Sequence, residues 1–183
     1  MICIKPGTIV RDVGAGYPPA VAHIAIVHAS MTGGSAQLAA AAAAGVRSVA
    51  GATLSDRAAD EADPETIAAA DGVIFAFPEN LAAIAGTMKA FIDRAYYPLL
   101  GRIEGRPYGL IVCAGSDGDN AVRQFERIAT GWRLRPVAPP LVILTHAQTP
   151  EAILAPKTIG KPDLARAREL GQALAEGLAM GIF

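Results

Sequence analysis

The chain carries the sequence HIAIVHA at residues 23–29, and the turn SMTGGS follows it at residues 30–35. A short run that is almost wholly apolar is typical of a strand buried on both faces of a sheet. The turn is rich in glycine and hydroxyl residues, and it leads into the alanine-rich segment 37–44, which favours a helix. This strand–turn–helix unit predicts an α/β fold with parallel strand pairing.

Four further units follow the first one along the chain. Strands are predicted at 46–50, 73–77, 108–113 and 141–144, and helices at 63–72, 84–97, 120–130 and 162–180. Gly45 and Gly72 are expected to close the first two helices, and Pro78 to stop the third strand. Five units joined by right-handed crossovers fit a flavodoxin-like doubly wound five-stranded parallel sheet, of order 2-1-3-4-5, with helices on both faces.

The overall composition limits the classes of protein that fit. The 183 residues are 52% apolar and 18% charged, which excludes intrinsic disorder. A net charge of −1 argues against nucleic acid and against a polybasic membrane anchor as partners. Cys3 and Cys113 are far apart, so a secreted disulfide scaffold is excluded and the cytoplasm is expected.

The glycines and prolines of the first 20 residues predict an irregular segment, with a short strand at residues 8–10. We therefore expect an N-terminal arm at residues 1–21 and a single domain at residues 22–183.

The binding site of such a sheet lies beyond the carboxyl ends of its strands, where the strand order reverses. The loops after the first, third and fourth strands are therefore expected to build it: residues 30–35, 78–83 and 114–119. The first of these loops contains hydroxyls and glycines but no lysine or arginine. Such a loop at a helix N-terminus suits a phosphate held by neutral donors.

Gly34 is predicted to lie with its backbone against that phosphate. A carboxylate introduced there would repel the ligand. Because the loop is expected at the surface, we expect Gly34→Asp to abolish phosphate binding and to leave the fold intact.

Several motifs of the chain resemble those of a known family. They are the pattern Ser-x-Thr-Gly-x-Ser at residues 30–35, Pro-Glu-Asn at 78–80, Gly-x-x-Lys-x-Phe-Ile-Asp-Arg at 86–94, and the connector at 100–107. Over residues 22–180 the chain resembles flavodoxin-like proteins. Within these it is most similar to the NAD(P)H-dependent FMN reductases and quinone reductases of the tryptophan-repressor-binding-protein group.

The resemblance implies a cofactor, FMN, and assigns residues to it. Its phosphate would be bound by the first loop, one edge of its isoalloxazine ring by the second, and the other side by the third. The implied residues are Ser30, Thr32, Gly33, Gly34 and Ser35 in the first loop, Pro78, Glu79, Asn80 and Leu81 in the second, and Ala114, Gly115, Ser116 and Asp117 in the third.

The chain departs from the family in the second and third loops. The family usually has an aromatic residue in the stretch that reads Asn-Leu-Ala at residues 80–82, and often another after the fourth strand. Ring stacking would then fall to Leu81 or Met31, or to Tyr96 or Tyr97 of a neighbouring subunit. This departure predicts weakened retention of FMN.

The function implied by the resemblance is a two-electron transfer from NAD(P)H to a quinone, a flavin or a similar small-molecule acceptor. A homodimer or homotetramer is expected, and no metal is required because the flavin carries the chemistry. Two alternatives stay open: a one-electron carrier of the flavodoxin type, and a flavin-free binding or regulatory protein that keeps the fold. The near-zero charge disfavours the carrier, because it offers little electrostatic steering toward a charged partner.

A hydrolase is a further alternative. Residues 114–118 read Ala-Gly-Ser-Asp-Gly, close to the GxSxG pattern of a nucleophile elbow. Ser116 would then be the nucleophile and His146 its base. The acid expected between them is missing, since Asp117 and Asp119 lie directly beside the serine.

Overall fold

A computed structural model describes residues 21–183. The predicted arm at residues 1–21 lies outside the described residues, apart from Val21, and so does the strand expected at 8–10. The described chain forms β1 His23–His28, α1 Gly34–Arg47, β2 Thr53–Ala58, α2 Pro64–Ala68, β3 Gly72–Asn80, β4 Ala83–Ile84, α3 Gly86–Leu99, β5 Pro107–Ala114, α4 Asp119–Gly131, β6 Arg135–Pro136, β7 Leu141–Leu144, α5 Pro150–Leu154 and α6 Lys161–Ala179.

The main strands form a parallel sheet in the order β2-β1-β3-β5, with β6 and β7 both paired to the outer side of β5. The predicted strand order is therefore confirmed, with an outer strand that is split in two. The prolines at 139 and 140 lie between β6 and β7, and because proline has no N–H group it interrupts a hydrogen-bonded ladder.

Helices cover both faces of this sheet. Residues of α1 and α6, such as Leu38 and Leu174, pack on one face with Ile24 and Ile26 of β1. Residues of α2, α3 and α4, together with Val27 of β1, form the core on the other face. The β1 side chains therefore alternate between two buried layers, which explains why its sequence is apolar throughout.

The prediction of a strand at residues 46–50 is wrong. Helix α1 continues to Arg47, and β2 begins at Thr53. Gly45 does not close the helix: it lies inside α1 where α6 crosses, and a Cβ there would overlap the backbone carbonyl of Arg168. Gly171 of α6 is equally close to the Ala42 carbonyl. The two glycines allow α1 and α6 to pack closely, and Gly45 does not end α1.

The predicted roles of Gly72 and Pro78 are also wrong. Helix α2 ends at Ala68, and Gly72 begins β3. Strand β3 runs through Pro78 to Asn80. Its pairing with β1 ends at Ala76, so the missing N–H group of Pro78 removes no hydrogen bond between β3 and β1. The strand then turns back into β4, which is antiparallel to it.

No helix within residues 21–183 is both long enough and apolar enough to cross a membrane.

Candidate functional site

A cavity of about 710 Å³ lies at the carboxyl edge of the sheet, where the three predicted loops meet. Most of the predicted site residues line this cavity, and Gly33 and Asp117 do not. Those that line it are Ser30, Thr32, Gly34, Ser35, Pro78, Glu79, Asn80, Leu81, Ala114, Gly115 and Ser116.

The first loop presents unpaired donors to the cavity. Gly33 precedes α1 with a left-handed φ of 87°, a conformation that glycine adopts without strain. Helix α1 begins at Gly34, and its first N–H groups have no acceptors within the helix. The Ser35 hydroxyl is buried, with 2% of the residue exposed. It faces the Cys113 thiol, a weak hydrogen-bonding group, and makes no regular hydrogen bond within the described part of the chain. These donors suit an anion such as a phosphate.

Gly34 lies in the interior and not at the surface. A Cβ at this position would come 2.9 Å from Cys113 Sγ and 3.4 Å from Lys157 Cβ. The premise that Gly34 lies at the surface is therefore wrong. A side chain there must displace the Cys113 sulfur atom, so we now expect Gly34→Asp to destabilise the fold. The glycine was predicted to allow close approach of a phosphate, and this stays a prediction. What the structure shows is that it allows close approach of α1 to the Cys113 side chain of β5.

Burial raises the pKa of the Cys113 thiol above its ordinary value, and the nearby Lys157 ammonium and the Ser35 hydroxyl oppose this shift in part. The thiol is therefore neutral at physiological pH and forms an apolar part of the cavity floor.

The second loop is the β3–β4 hairpin, and it is tied to α4. The Glu79 carboxylate accepts hydrogen bonds from the N–H groups of Gly118 (3.1 Å) and Ala121 (3.3 Å). The side chain of Asn120 donates to the Ala82 carbonyl, and that of Gln124 accepts from the Ile84 N–H group. Glu79 thus lines the cavity, but its carboxylate caps the N-terminus of α4, where its negative charge interacts favourably with the helix dipole.

The hairpin turn holds two residues in a left-handed conformation. Leu81 and Ala82 have φ angles of 50° and 56°, which suit a two-residue hairpin turn but are unfavourable for residues with a Cβ. This turn places the Leu81 side chain, which is fully exposed, at the cavity. The other candidate for ring contact, Met31, also lines the cavity, whereas Tyr96 and Tyr97 do not.

The third loop differs from the prediction at Asp117. Asp117 is exposed, and its carboxylate accepts from the N–H group of Asp119. The Ser116 hydroxyl pairs with Gln148 at 3.2 Å, and within residues 21–183 no hydrogen bond joins it to His146. The arrangement required of a serine hydrolase is therefore not assembled.

The sequence analysis missed a fourth wall of the cavity, residues 145–160, which we call the strap. It contains α5 and contributes Thr145, Ala147, Gln148, Ile153, Leu154 and Lys157 to the lining. A signal for it exists: Thr149-Pro150-Glu151 has the same capping pattern as Asp63-Pro64-Glu65, and Thr149 Oγ1 does accept from the Ala152 N–H group.

The strap brings a positive charge to a site whose first loop has none. The Lys157 ammonium donates to the carbonyls of Ala152, Ile153 and Ala155, at 2.8, 2.8 and 2.6 Å, and so caps the C-terminus of α5. The neutral donors predicted for a phosphate are thus joined by one nearby cation that the sequence analysis did not include.

Three comparisons relate the chain to known proteins. The family model for NADPH-dependent FMN reductase matches residues 51–149, more than half of the chain. A flavodoxin of Aquifex aeolicus (strain VF5) is 31% identical over 93 residues, and this match spans 51% of the chain and 48% of that protein, about half of its length.

Solved structures share the fold. A WrbA-like flavodoxin from Agrobacterium tumefaciens superposes with a TM-score of 0.68 at 20% identity, covering 87% of this chain and 98% of that one. A flavodoxin from the domain Archaea gives a TM-score of 0.71 at 16% identity, covering 85% and 98%. Together with the family match, the flavodoxin-like sheet and the cavity at its switch point lead to one conclusion. The chain belongs to the family of NADPH-dependent FMN reductases.

Proposed function

We propose that the chain binds FMN in the cavity and transfers two electrons from NAD(P)H to a quinone, a flavin or a similar acceptor. The observation that carries this proposal is the buried Ser35 hydroxyl, whose contact with the protein is the weakly bonding Cys113 thiol. It lies beside the free N–H groups of α1, at one end of a large and mostly apolar cavity. A buried hydroxyl without a strong partner is costly unless a ligand supplies one.

The residues present fit FMN at its phosphate end. The Thr32 and Ser35 hydroxyls and the α1 N–H groups would hold the phosphate oxygens. The Lys157 ammonium adds a favourable charge close by, although it already donates to carbonyls of α5. The remaining lining, which includes Leu81, Ala114 and Leu154, suits a planar ring.

FMN would supply the redox chemistry, with NAD(P)H and H⁺ converting a quinone to a hydroquinone and leaving NAD(P)⁺. The chain has to bind and orient the ligands and needs no side-chain nucleophile. The Gly115 backbone and the hairpin at Asn80 line the cavity, and in this proposal they orient the ring edge.

A second candidate, the one-electron carrier, is favoured by the match to the Aquifex flavodoxin and by the fold shared with flavodoxins. The two functions differ in their response to reduced nicotinamides. A two-electron reductase accepts electrons directly from NADH or NADPH, whereas a carrier needs a reductase partner.

The test is an anaerobic titration of the FMN-loaded protein with NADPH and with NADH, followed by flavin absorbance. Bleaching that reverses on addition of a quinone supports the proposal. Flavin that stays oxidised with both nicotinamides, but is reduced when a separate reductase is added, favours the carrier. Absence of FMN binding to the purified chain would favour the flavin-free alternative.

We further propose that the protein acts in the cytoplasm as a homodimer or homotetramer, without nucleic acid or membrane partners. Light scattering of the purified protein with and without FMN tests the oligomeric state.

A further inference from the structure

The middle of the strap carries two apolar side chains that line the cavity and remain open to solvent. Ile153 is 53% exposed and Leu154 is 77% exposed. Neither belongs to the two core clusters of the described chain. Large apolar side chains that line a cavity, and that no described residue covers, indicate contact with a ligand.

The ends of the strap are hydrogen-bonded to two different loops of the site. At one end, the Gln148 amide donates to the Gly115 carbonyl at 3.1 Å and pairs with Ser116 Oγ. At the other end, the Lys157 N–H group donates to the Thr32 carbonyl at 2.7 Å. Helix α5 therefore lies between the third loop and the first, along the line that a ligand bound to both loops would follow.

Gln37 of α1 fixes the strap at its phosphate-loop end. Its side-chain amide donates to the Lys157 carbonyl at 2.6 Å and to the Gly33 carbonyl at 3.1 Å. Its carbonyl oxygen accepts from the Ile159 N–H group at 3.1 Å. One side chain thus joins the strap to the residue that precedes α1.

No aromatic side chain lines the cavity within residues 21–183. The aliphatic residues on the hairpin and first loop are very open, Leu81 fully and Met31 at 80% exposure. Among the described residues of one chain, the side chains available to a planar ring are therefore largely aliphatic, and the strap supplies two that are less exposed than either of these.

Resting on the proposed binding of FMN, we infer that Ile153 and Leu154 form an apolar wall against the flavin ring. Gln37 is a positioning residue for this wall. In this chain, a segment between the last strand and the last helix takes the role that a loop aromatic would otherwise have.

The test compares the binding of FMN with that of riboflavin, which has the same ring but no phosphate. The protein stripped of flavin is titrated with each, and flavin fluorescence gives the dissociation constants. Leu154→Ala is expected to raise the dissociation constants of FMN and riboflavin by the same factor, about fivefold. The double variant Ile153→Ala/Leu154→Ala is expected to raise both by about tenfold or more. The matched control is Leu100→Ala, because Leu100 is 51% exposed and lies outside the cavity.

Gln37→Met tests the positioning role, since methionine keeps the side-chain length and removes the hydrogen bonds. Hydrogen exchange at the Lys157 and Ile159 amides should accelerate, and riboflavin should bind several-fold more weakly. In the Gln37→Met background, Leu154→Ala should cost clearly less than in the parent, because the wall is already displaced. Gln172→Met is the control, because among the described residues the Gln172 side chain bonds only to Glu176 of its own helix.

The outcomes separate the two levels of inference. If Leu154→Ala and the double variant bind both flavins within twofold of the parent, the wall is refuted while FMN binding stands. A loss confined to FMN also refutes it, because the strap would then act on the phosphate. If the parent protein binds neither flavin, the proposed function fails, and the wall fails with it.

Discussion

The side-chain amide of Gln37 donates a hydrogen bond of 2.6 Å to the backbone carbonyl of Lys157, 120 residues later in the chain. This bond joins the helix that begins the site to a segment that the chain forms only after its last strand. The first-loop end of the cavity is therefore completed by residues from both ends of the domain.

Ser35→Ala should weaken FMN binding by roughly tenfold to a hundredfold, because a hydrogen bond to a charged group is lost. Riboflavin binding should not change. The free energy of unfolding without ligand should change little, since the buried hydroxyl that is removed makes only a weak contact with the Cys113 thiol. Fluorescence titration and urea unfolding measure these quantities.

Ser48→Ala is the matched control at the other end of α1. The Ser48 hydroxyl donates to the Gly45 carbonyl at 2.6 Å, so its loss should cost about 1 kcal/mol of stability and leave FMN binding unchanged. The assignment of the phosphate site would be contradicted if Ser48→Ala weakened FMN binding and Ser35→Ala did not.

Gly34→Ala should destabilise the protein by about 1–3 kcal/mol, because its Cβ meets Cys113 Sγ. Cys113→Ala removes that sulfur atom, so the double variant should be more stable than the sum of the two single effects predicts. Urea unfolding of the four proteins in this cycle gives the coupling energy. Strict additivity would show that the two residues do not compete for the same space.

Glu79→Gln should lower the free energy of unfolding by about 0.5–1.5 kcal/mol, because the α4 N-terminus loses a negative charge and one of its acceptors. Thermal unfolding at low salt measures the loss. Glu126→Gln, in the exposed middle of the same helix, should have little effect. Equal effects of the two substitutions would argue against the capping role of Glu79.

Cys113 should react slowly with iodoacetamide in the folded protein. Burial raises its pKa, so the reactive thiolate is scarcer than in the unfolded chain at the same pH. Because the folded state binds the thiol proton more tightly than the unfolded state, this proton contributes to the free energy of unfolding at neutral pH. That contribution is lost as the pH rises through the raised pKa of Cys113. Peptide mass spectrometry of Cys113, with and without urea, measures the rates; equal rates would contradict the burial.

The sequence predicted the sheet order, because buried strands appear as apolar runs. It also predicted three of the four cavity walls, because the site of a doubly wound sheet lies beyond the carboxyl ends of the strands at the switch point. The prediction failed at β2, where the edge strand Thr53–Ala58 is largely polar and carries no apolar signal. It also failed at Gly45, since a helix-closing glycine and a glycine at a helix crossing look the same in a sequence.

The strap was missed for a different reason. Its contacts depend on side chains more than a hundred residues away, such as Gln37, and local patterns do not record them. The capping pattern at Thr149 could have located α5 but not its place beside the cavity.

The pair Gly45 and Gly171 has a consequence for how the site can change over time. Each glycine faces a backbone carbonyl of the opposite helix, so neither can gain even a methyl group without moving α1 away from α6. Because the donors proposed for the phosphate lie at the start of that same helix, such a movement would shift them relative to β5 and the strap. The position of the proposed phosphate site therefore depends on a contact at the far end of α1, and substitutions that never touch a ligand can still displace it.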